Sequence, residues 1–416
     1  MLITTDKKIS LSPGQLAWRR LKKNKLALFG LCVILFFSLV SILGYLIMPD
    51  DSPNANNVQP ELSLKNPGFE ITILKIRLNT ETQAQSFFEV MLNGREINFD
   101  FEPIQHFEFS GHDVIVNLYT GSSQTDYTNT VSKRYHIAEV LYPIKKNTLV
   151  NDEKNRSVTF FNLDSRKTEN HTVKEMREIF KNEHVYTQKY YLGTDKSGRD
   201  LLSRLIIGTR VSLTVGLISV FISIFLGVLL GSLAGFFRGW VDEIILWLIN
   251  VMWSLPTLLL VVALTFALGK GFWQVFVAVG LTMWVDGARM VRGQIFSIRE
   301  KEYIEAGKAL GFSNLRIIIR HILPSLHSQI IVLAASNFAT AIITEASLSF
   351  LGFGAQPPMV SWGKMIRDHI NYIDNPETIY LTVVPGVAIM ILVLAFLLFG
   401  NGLRDALDTK SETISA

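Results

Sequence analysis

Long apolar segments alternate with polar stretches along the chain. A helix needs about 20 apolar residues to cross the roughly 30 Å hydrocarbon core of a bilayer. Six segments have the required character: Leu26–Ile47, Val211–Phe237, Ile244–Leu268, Phe272–Val285, Ile330–Phe350 and Leu381–Phe399. The fourth reaches the required length only if it continues to Val291. The pattern predicts an α-helical membrane protein with six transmembrane helices.

Residues 49–190, between the first two segments, have a different pattern. Runs typical of β-strands occur at Glu70–Leu78, Phe87–Leu92, Arg95–Phe101, Asp113–Tyr119 and Val158–Asn162. Asn93-Gly94 lies between two of these runs and predicts a two-residue hairpin turn. Thr172–Asn182 predicts a short helix. Its predicted apolar face consists of Val173, Met176, Ile179 and Phe180. We therefore expect a β-rich insert.

The distribution of basic residues predicts the orientation. Residues 1–25 hold seven Lys and Arg, and residues 289–320 hold another seven. Lys and Arg are enriched in cytoplasmic loops. Six helices with both termini in the cytoplasm place both basic stretches there and the insert outside. The first apolar segment is too long for the core of a signal peptide, so we expect a retained anchor. The expected location is the cytoplasmic (inner) membrane of a prokaryote.

Composition excludes several classes of protein. Charged residues make up 18% of the chain, against about 25% in soluble domains, and the mean hydropathy is +0.29. The single cysteine, Cys32, excludes a disulfide framework and a cysteine-built metal site. The net charge of +4 is no argument for nucleic-acid binding. The histidines of the insert lack ligand spacing, so no metal site is expected.

The loop 297–324 has the strongest local signals. Ser297 followed by Glu300 predicts a capping box and a helix start, and Gly311 predicts the end of that helix. Ser313 can cap a second helix that leads to Pro324. The apolar stripe of the first helix consists of Tyr303, Ala306, Ala309 and Leu310. Two interpretations remain open: an interfacial helix on lipid headgroups, or a docking element for a cytoplasmic partner.

This loop resembles the EAA loop of ABC importer permeases, whose pattern is E-A-A-x3-G-x9-I-x-L-P. The matching positions are Glu305-Ala306-Gly307, Gly311 and His321-Ile-Leu-Pro324. Two positions depart from the pattern, since Gly307 replaces the second alanine and His321 replaces isoleucine. The ending His-Ile-Leu-Pro is similar to the peptide and nickel importer branch.

Further segments resemble dipeptide and oligopeptide permeases of the DppC/OppC type. They are Trp18–Asn24, Leu192–Arg204, Gly239–Glu243, Ser349–Gly354 and Gly402–Asp408. The resemblance covers residues 14–48 and 191–409, and the insert is its main departure. The implied division is 1–48 for the N-terminus and first helix, 49–190 for the insert, 191–409 for the permease core and 410–416 for a cytoplasmic tail.

The resemblance implies a type I ABC importer permease fold and a permease that forms half of a translocation path. It also implies two separate ABC ATPase subunits, a second homologous permease and an extracytoplasmic substrate-binding protein. We expect no enzyme activity and no bound cofactor, because the chain lacks the G-x-x-x-x-G-K-[ST] phosphate loop. ATP and Mg would bind the partners. The implied cargo is di- or oligopeptides, and a nickel chelate or another small solute is the alternative cargo. The alternative from a different class of protein is a membrane-anchored receptor with an extracytoplasmic ligand domain.

The resemblance assigns ATPase coupling to a helix at about Glu302–Leu310. The expected coupling residues are Glu302, Tyr303, Glu305, Ala306, Gly307, Leu310, Gly311 and Pro324. Tyr303 and Leu310 would form the apolar centre of the joint. The charged rim would consist of Arg299, Lys301, Glu302, Glu305, Lys308 and Arg316.

Polar residues within the apolar segments suggest a second site. Glu345 is costly inside a bilayer, so it either belongs to the pathway or a gate, or bonds a neighbouring helix. Asn337 and Asn250 are further pathway candidates. Pro256 and Pro385 predict kinks. The small residues Gly227, Gly231 and Gly235 predict a helix-packing face.

Overall fold

The computed structural model of the protein describes residues 13–407 except 51, 83–84, 122–130, 155, 270 and 355. The predicted tail 410–416 and the first twelve residues lie outside this range. The helices are α1 (Pro13–Leu21), α2 (Lys25–Ile47), α3 (Phe87–Asn93), α4 (Ile137–Leu141), α5 (Val173–Ile179), α6 (Leu201–Phe237), α7 (Gly239–Ser254), α8 (Thr257–Leu268), α9 (Phe272–Arg299), α10 (Glu302–Ala309), α11 (Asn314–Ile317), α12 (Leu323–Leu351), α13 (Trp362–His369) and α14 (Tyr380–Leu407).

The chain divides into two compact units. The first contains Met1–Ser41, Gly208–Ile370 and Thr382–Ala416, and is helical where it is described. The second contains Ile42–Ile207 and Asn371–Leu381. The second unit is therefore wider than the predicted insert 49–190, because it includes the ends of two long helices and a later segment of the chain.

Four helical stretches among the described residues are long and apolar enough to cross a membrane. They are Lys25–Ile47, Leu201–Phe237, Asn314–Leu351 and Tyr380–Leu407. The pair formed by α7 and α8 raises the number to five if it counts as one broken span. Helix α9 contains the predicted fourth span and is long enough at 1.5 Å per residue, but Asp286, Arg289 and Arg292 lower its apolar character. The count of six remains a prediction.

The predicted third span, Ile244–Leu268, is not a single helix. Helix α7 ends at Ser254, and α8 starts at Thr257 after a bend of 100°. Pro256 lies immediately before α8, so it separates two helices instead of kinking one. Proline lacks an N–H and its ring clashes with the preceding turn, which explains the break. Pro385, in contrast, lies inside α14.

The three glycines of α6 confirm the predicted packing face. A Cβ atom on Gly231 would lie 2.5 Å from the carbonyl oxygen of Ala288, and one on Gly227 would lie 3.0 Å from that of Trp284. At Gly235 the nearest atom is the Cβ of Ile295, at 2.8 Å. Helices α6 and α9 therefore approach each other more closely than any larger residue permits.

The second unit contains two antiparallel sheets. Their strands are β1 (Phe69–Arg77), β2 (Phe99–Ser110), β3 (Asp113–Leu118), β4 (Ser132–His136), β5 (Val150–Asp152), β6 (Ser157–Asn162), β7 (Lys167–Thr172) and β8 (Val185–Tyr190). The first sheet has the order β4-β3-β2-β1-β8 and the second β5-β6-β7. Helices α4 and α5 cover the core, to which Met176 and Phe180 of the predicted apolar face contribute fully buried side chains. The β-rich character of the insert is confirmed.

One part of the insert prediction is wrong. Phe87–Leu92 forms helix α3 and not a strand, and Asn93-Gly94 is not a hairpin turn. The Ser86 side chain accepts a hydrogen bond from the Glu89 N–H, while the Glu89 side chain accepts one from the Ser86 N–H. This capping box starts a helix, and Gly94 ends it with a φ of +83°.

Candidate functional site

The loop after α9 forms a short helix between two turns. Helix α9 continues through Ser297 to Arg299, so the predicted helix start at Ser297 is wrong, and Lys301 is the N-cap of α10. Gly311 ends α10 with a φ of +78°, as predicted. The Ser313 hydroxyl accepts a hydrogen bond from the Arg316 N–H, which confirms the predicted cap. A π-helical turn, Ile318–Ile322, leads into α12, where Pro324 occupies the first turn.

One side of α10 is anchored in the protein. Ile304 is 1% exposed, and Gly307 is also buried. Ile304 belongs to a cluster contributed by α6, α9, α11, the π-helical turn and α12. The other buried members of the cluster are Phe236, Val291, Ile295, Ile298, Ile317, Ile318, Ile322 and Leu326. Burying a side chain of this size contributes about 1.5–3 kcal/mol, so this cluster fixes α10 to the long helices.

The other side of α10 leaves apolar side chains exposed. Tyr303 is 48% exposed and Leu310 is 73% exposed, and Ala306 is exposed as well. Leu315 and Ile319, which follow in the next turns, are also exposed. These last two residues were not among the residues predicted from the sequence. Their apolar character among the polar neighbours Arg316 and Arg320 is the signal that would have found them.

Five of the six residues of the predicted charged rim are exposed. Glu302, Glu305 and Lys308 are exposed on α10. Arg299 instead donates a hydrogen bond to the carbonyl oxygen of Phe236 at 2.5 Å, which ties α9 to the end of α6. The Arg316 guanidinium lies 4.2 Å from the ring centre of Phe312. Arg299 therefore has a structural role within the protein, whereas Lys301 and Arg316 are exposed together with the three charged residues of α10.

Phe312 contacts both positions that depart from the EAA pattern. A Cβ on Gly307 would lie 3.3 Å from the Phe312 ring, which is a tight contact. The ring of His321 stacks on the ring of Phe312, with ring centres 5.6 Å apart and planes 12° apart. The two departures are thus linked through one aromatic side chain.

The three pathway candidates do not form one site. Asn337 is buried and donates a hydrogen bond to the Ser223 hydroxyl at 3.1 Å, which joins α12 to α6. Glu345 is 1% exposed and accepts a hydrogen bond from Ser349 at 2.6 Å. Asn250 is exposed on α7. These contacts favour a packing role for Asn337 and Glu345, and a role in the pathway stays a prediction.

Parts of the chain are similar to known protein families and to a solved structure. The model of the family described as binding-protein-dependent transport system inner membrane component matches residues 227–412. The N-terminal TM domain of oligopeptide transport permease C matches residues 12–64. A solved structure of the MetNI methionine ABC transporter, in an inward-facing conformation, is similar over 50% of this chain and 98% of its own, with 19% identity and a TM-score of 0.42.

Two curated relatives are similar over about half of the chain. The glutathione transport system permease protein GsiD of Pectobacterium atrosepticum is 42% identical over 224 residues, which cover 54% of this chain and 74% of that protein. The dipeptide transport system permease protein DppC of Alkalihalophilus pseudofirmus is 41% identical over 226 residues, which cover 54% of this chain and 73% of that protein.

The apolar helices and these matches define a multi-pass inner-membrane permease of an ABC importer. The chain belongs to the DppC/OppC family of binding-protein-dependent permeases. Membership of this family implies an ATPase and a substrate-binding protein as partners. It also removes the receptor alternative.

Proposed function

We propose that this chain is one half of the membrane path of a peptide importer and that α10 connects it to a separate ATPase subunit. The observation that carries the proposal is the two-sided character of α10. Ile304 anchors one side, whereas Tyr303 and Leu310 present apolar surface on the other. An exposed apolar centre surrounded by charged residues is the usual composition of a protein interface.

The proposed mechanism is alternating access. Two separate ATPase subunits bind ATP and Mg, and their closure moves α10 as a rigid body, because the Ile304 cluster joins it to α6, α9 and α12. A second homologous permease supplies the other half of the path, and an extracytoplasmic binding protein delivers the cargo. Both termini lie in the cytoplasm in this arrangement. The chain itself binds no nucleotide, since its sequence lacks the phosphate loop.

The proposed cargo is a short peptide. The two curated relatives are named for dipeptide and glutathione transport, and both of these molecules are short peptides. A nickel chelate or another small solute is the alternative, because the spans themselves do not identify the cargo. Competition of labelled-peptide uptake by unlabelled peptides and by nickel chelates in cells expressing the full transporter would separate the two.

A pair of leucine and isoleucine variants tests the coupling role. Leu310→Ser removes exposed apolar surface, so we expect normal assembly of the membrane helices with loss of transport and of substrate-stimulated ATP hydrolysis. Ile304→Ala removes a buried side chain and should instead lower stability by about 2–5 kcal/mol. The measurement combines thermal unfolding in detergent with uptake in vesicles.

A matched control is Leu259→Ser, on the exposed surface of α8 and far along the chain from the loop. It should leave ATPase binding unchanged. Normal coupling in Leu310→Ser, together with no crosslink from a cysteine at position 303 to the ATPase, would overturn the assignment of α10.

A further inference from the structure

A small polar cavity lies inside the second unit, where the start and end of the insert meet. Its volume is about 40 Å³. Two carboxylates, Asp50 and Asp200, line it together with the side-chain amide of Gln59. The remaining lining residues are Pro49, Asn57, Ile73, Phe101, Tyr186, Gln188, Tyr190 and Gly198.

Asp200 presents one carboxylate oxygen to this cavity. The residue is 3% exposed and directly precedes α6. Its Oδ2 accepts hydrogen bonds from the backbone N–H of Ser203 at 2.8 Å and from the Ser203 hydroxyl at 2.5 Å. Its Oδ1 is buried and has no hydrogen-bond partner among the described residues. A buried oxygen without a partner carries a substantial desolvation cost.

Gln59 presents a second such oxygen. The residue is 5% exposed, and its Nε2 donates a hydrogen bond to the carbonyl oxygen of Phe101 at 3.0 Å. That bond fixes which end of the amide faces the cavity, because only the nitrogen can donate. The Oε1 atom is buried and has no hydrogen-bond partner among the described residues. A backbone hydrogen bond also fixes Gln59, because its N–H donates to the Ser197 carbonyl oxygen at 3.0 Å.

Asp50 supplies the second carboxylate among the residues that line the cavity. Its N–H donates a hydrogen bond to the Ser203 hydroxyl at 3.0 Å, so Ser203 links the backbone of Asp50 to the carboxylate of Asp200. Its Oδ1 accepts a hydrogen bond from the Ser52 N–H at 2.8 Å. Two carboxylates and an amide oxygen therefore line one small space, without a lysine or arginine among the lining residues.

We propose that this cavity binds a hard divalent cation, with Asp50, Asp200 and Gln59 as ligands and Ca²⁺ as the fitting ion. Carboxylate and amide oxygens are the ligands that Ca²⁺ takes, in irregular geometry, whereas Mg²⁺ demands a near-ideal octahedron and retains most of its waters. The volume holds an ion with one or two waters, by comparison with about 30 Å³ for one water in the liquid.

Many metal sites are recognised by a cluster of three or more His, Cys, Asp or Glu side chains, and the proposed site lacks such a cluster. The described part of the chain has no group of three or more His, Cys, Asp and Glu that could hold a metal. Here an amide oxygen replaces the third acidic ligand. This inference departs from the expectation of no metal site, and it stands independently of the cargo and of the role of α10.

A bound cation would join three parts of the second unit. Asp50 lies just after α2, Gln59 precedes β1, and Asp200 precedes α6. Along the chain, Asp50 and Gln59 precede the two sheets of the insert and Asp200 follows them. The cation would therefore join the segments before and after the sheets of the insert. Extracellular Ca²⁺ sites have dissociation constants on the order of 10⁻⁴–10⁻³ M, and we expect affinity in this range.

Terbium luminescence tests the proposal on the purified full-length chain in detergent after treatment with a chelator. Tb³⁺ replaces Ca²⁺ at oxygen sites, and Tyr186 and Tyr190 line the cavity and can transfer excitation to it. We expect saturable emission that Ca²⁺ displaces, and a Ca²⁺-dependent rise in unfolding temperature. Asp200→Asn should weaken binding on the order of tenfold or more, since loss of even an outer-shell partner costs that much.

Two further variants complete the test. Glu153→Gln, in an exposed turn of the insert, is the matched control and should bind as the wild type does. Gln59→Glu adds a third carboxylate and should strengthen binding. Equal emission from wild type and Asp200→Asn, or a wild-type unfolding temperature that does not respond to Ca²⁺, would overturn the proposal and leave the cavity as a water site. If Asp200→Asn fails to fold, a Gln59→Glu protein with the same affinity for Ca²⁺ as the wild type would also overturn the proposal.

Discussion

At Gly311 the backbone has a φ of +78°, a conformation that costs a β-branched residue about 1–2 kcal/mol. Nothing lies within 4 Å of the position that a Cβ would occupy, so the cost at this residue is conformational and not steric. Gly311→Val should change the course of the chain between α10 and α11 and reduce coupled transport. Gly311→Asn is the control, because asparagine tolerates positive φ. Transport should be measured with thermal unfolding, and equal transport by both variants would contradict the prediction.

His184 gives the insert a pH-dependent stability. Burial lowers the pKa of His184, and the nearby charge of Lys75 lowers it further. Its Nδ1 lies 2.6 Å from the Lys75 carbonyl oxygen and donates a hydrogen bond to it, which the neutral ring can do. Because the folded-state pKa is below the unfolded value of 6.5, this stability is present above pH 6.5 and is lost as the pH falls towards the folded-state pKa.

Thermal unfolding of the full chain between pH 7.5 and pH 5 measures this effect. We expect the wild type to unfold at a lower temperature as the pH falls. His184→Asn keeps an N–H donor and does not titrate, so its response to pH should be smaller. His106→Asn, on an exposed position of β2, should retain the wild-type response. A wild-type response no larger than that of His184→Asn would contradict the prediction.

Local backbone requirements were predictable at single residues. Gly311 and the Ser313 cap follow from conformational and hydrogen-bonding preferences that act within a few residues. The role of Arg299 was not predictable, because its partner is the carbonyl oxygen of Phe236, on a helix more than 60 residues earlier in the chain. The burial of Asn337 against Ser223 has the same origin, since sequence periodicity does not show which helix packs against a given face.

At the scale of elements, two helical glycines should respond to alanine in opposite ways. Gly231→Ala on α6 places a Cβ 2.5 Å from the Ala288 carbonyl oxygen, so it should destabilise the protein by about 1–3 kcal/mol. Gly293→Ala on α9 has nothing within 4 Å, so it should stabilise the helix by up to about 1 kcal/mol. Thermal unfolding of both variants in detergent provides the comparison. A more stable Gly231→Ala protein would rule out the close α6–α9 packing.

The apolar segments predicted most of the long helices. The ends and breaks of the helices depended on capping residues, on proline and on burial against other helices. The capping box at Ser86 and Glu89 outweighed the strand-like pattern of Phe87–Leu92 and produced α3. A similar Ser-x-x-Glu spacing at Ser297 did not start a helix. There, Ile295 and Ile298 pack in the buried cluster and keep α9 continuous through the same positions. Tertiary burial therefore decided between two identical sequence signals.

At the scale of the molecule, the insert should be removable without loss of the permease core. The two family models match residues 12–64 and 227–412, so residues 65–190 of the insert lie outside both matches. Phe69 and Tyr190 are partners in the β1–β8 ladder, so an Asn-Gly turn can replace 70–189. We expect the shortened chain to insert and to bind the ATPase. Membrane yield and co-purification measure this, and failure of both would show that the core requires the insert.

Uptake by the same shortened chain separates the possible roles of the insert. Unchanged uptake would favour a passive elaboration, whereas loss of uptake with normal ATPase binding would favour contact with the binding protein or a cap on the outer mouth of the path. Replacement of Phe87 and Phe88, both exposed on α3, by serine tests the contact alternative without removing the domain.

The pairing of β1 with β8 also has an evolutionary consequence. The first and last strands of the insert are adjacent, and neighbouring strands lie only about 5 Å apart. A segment whose ends meet in this way can enter a gene, grow or disappear while the flanking chain keeps its course. The length of chain between α2 and α6 can therefore change without altering the flanking segments, and a whole domain can be acquired there in one genetic event.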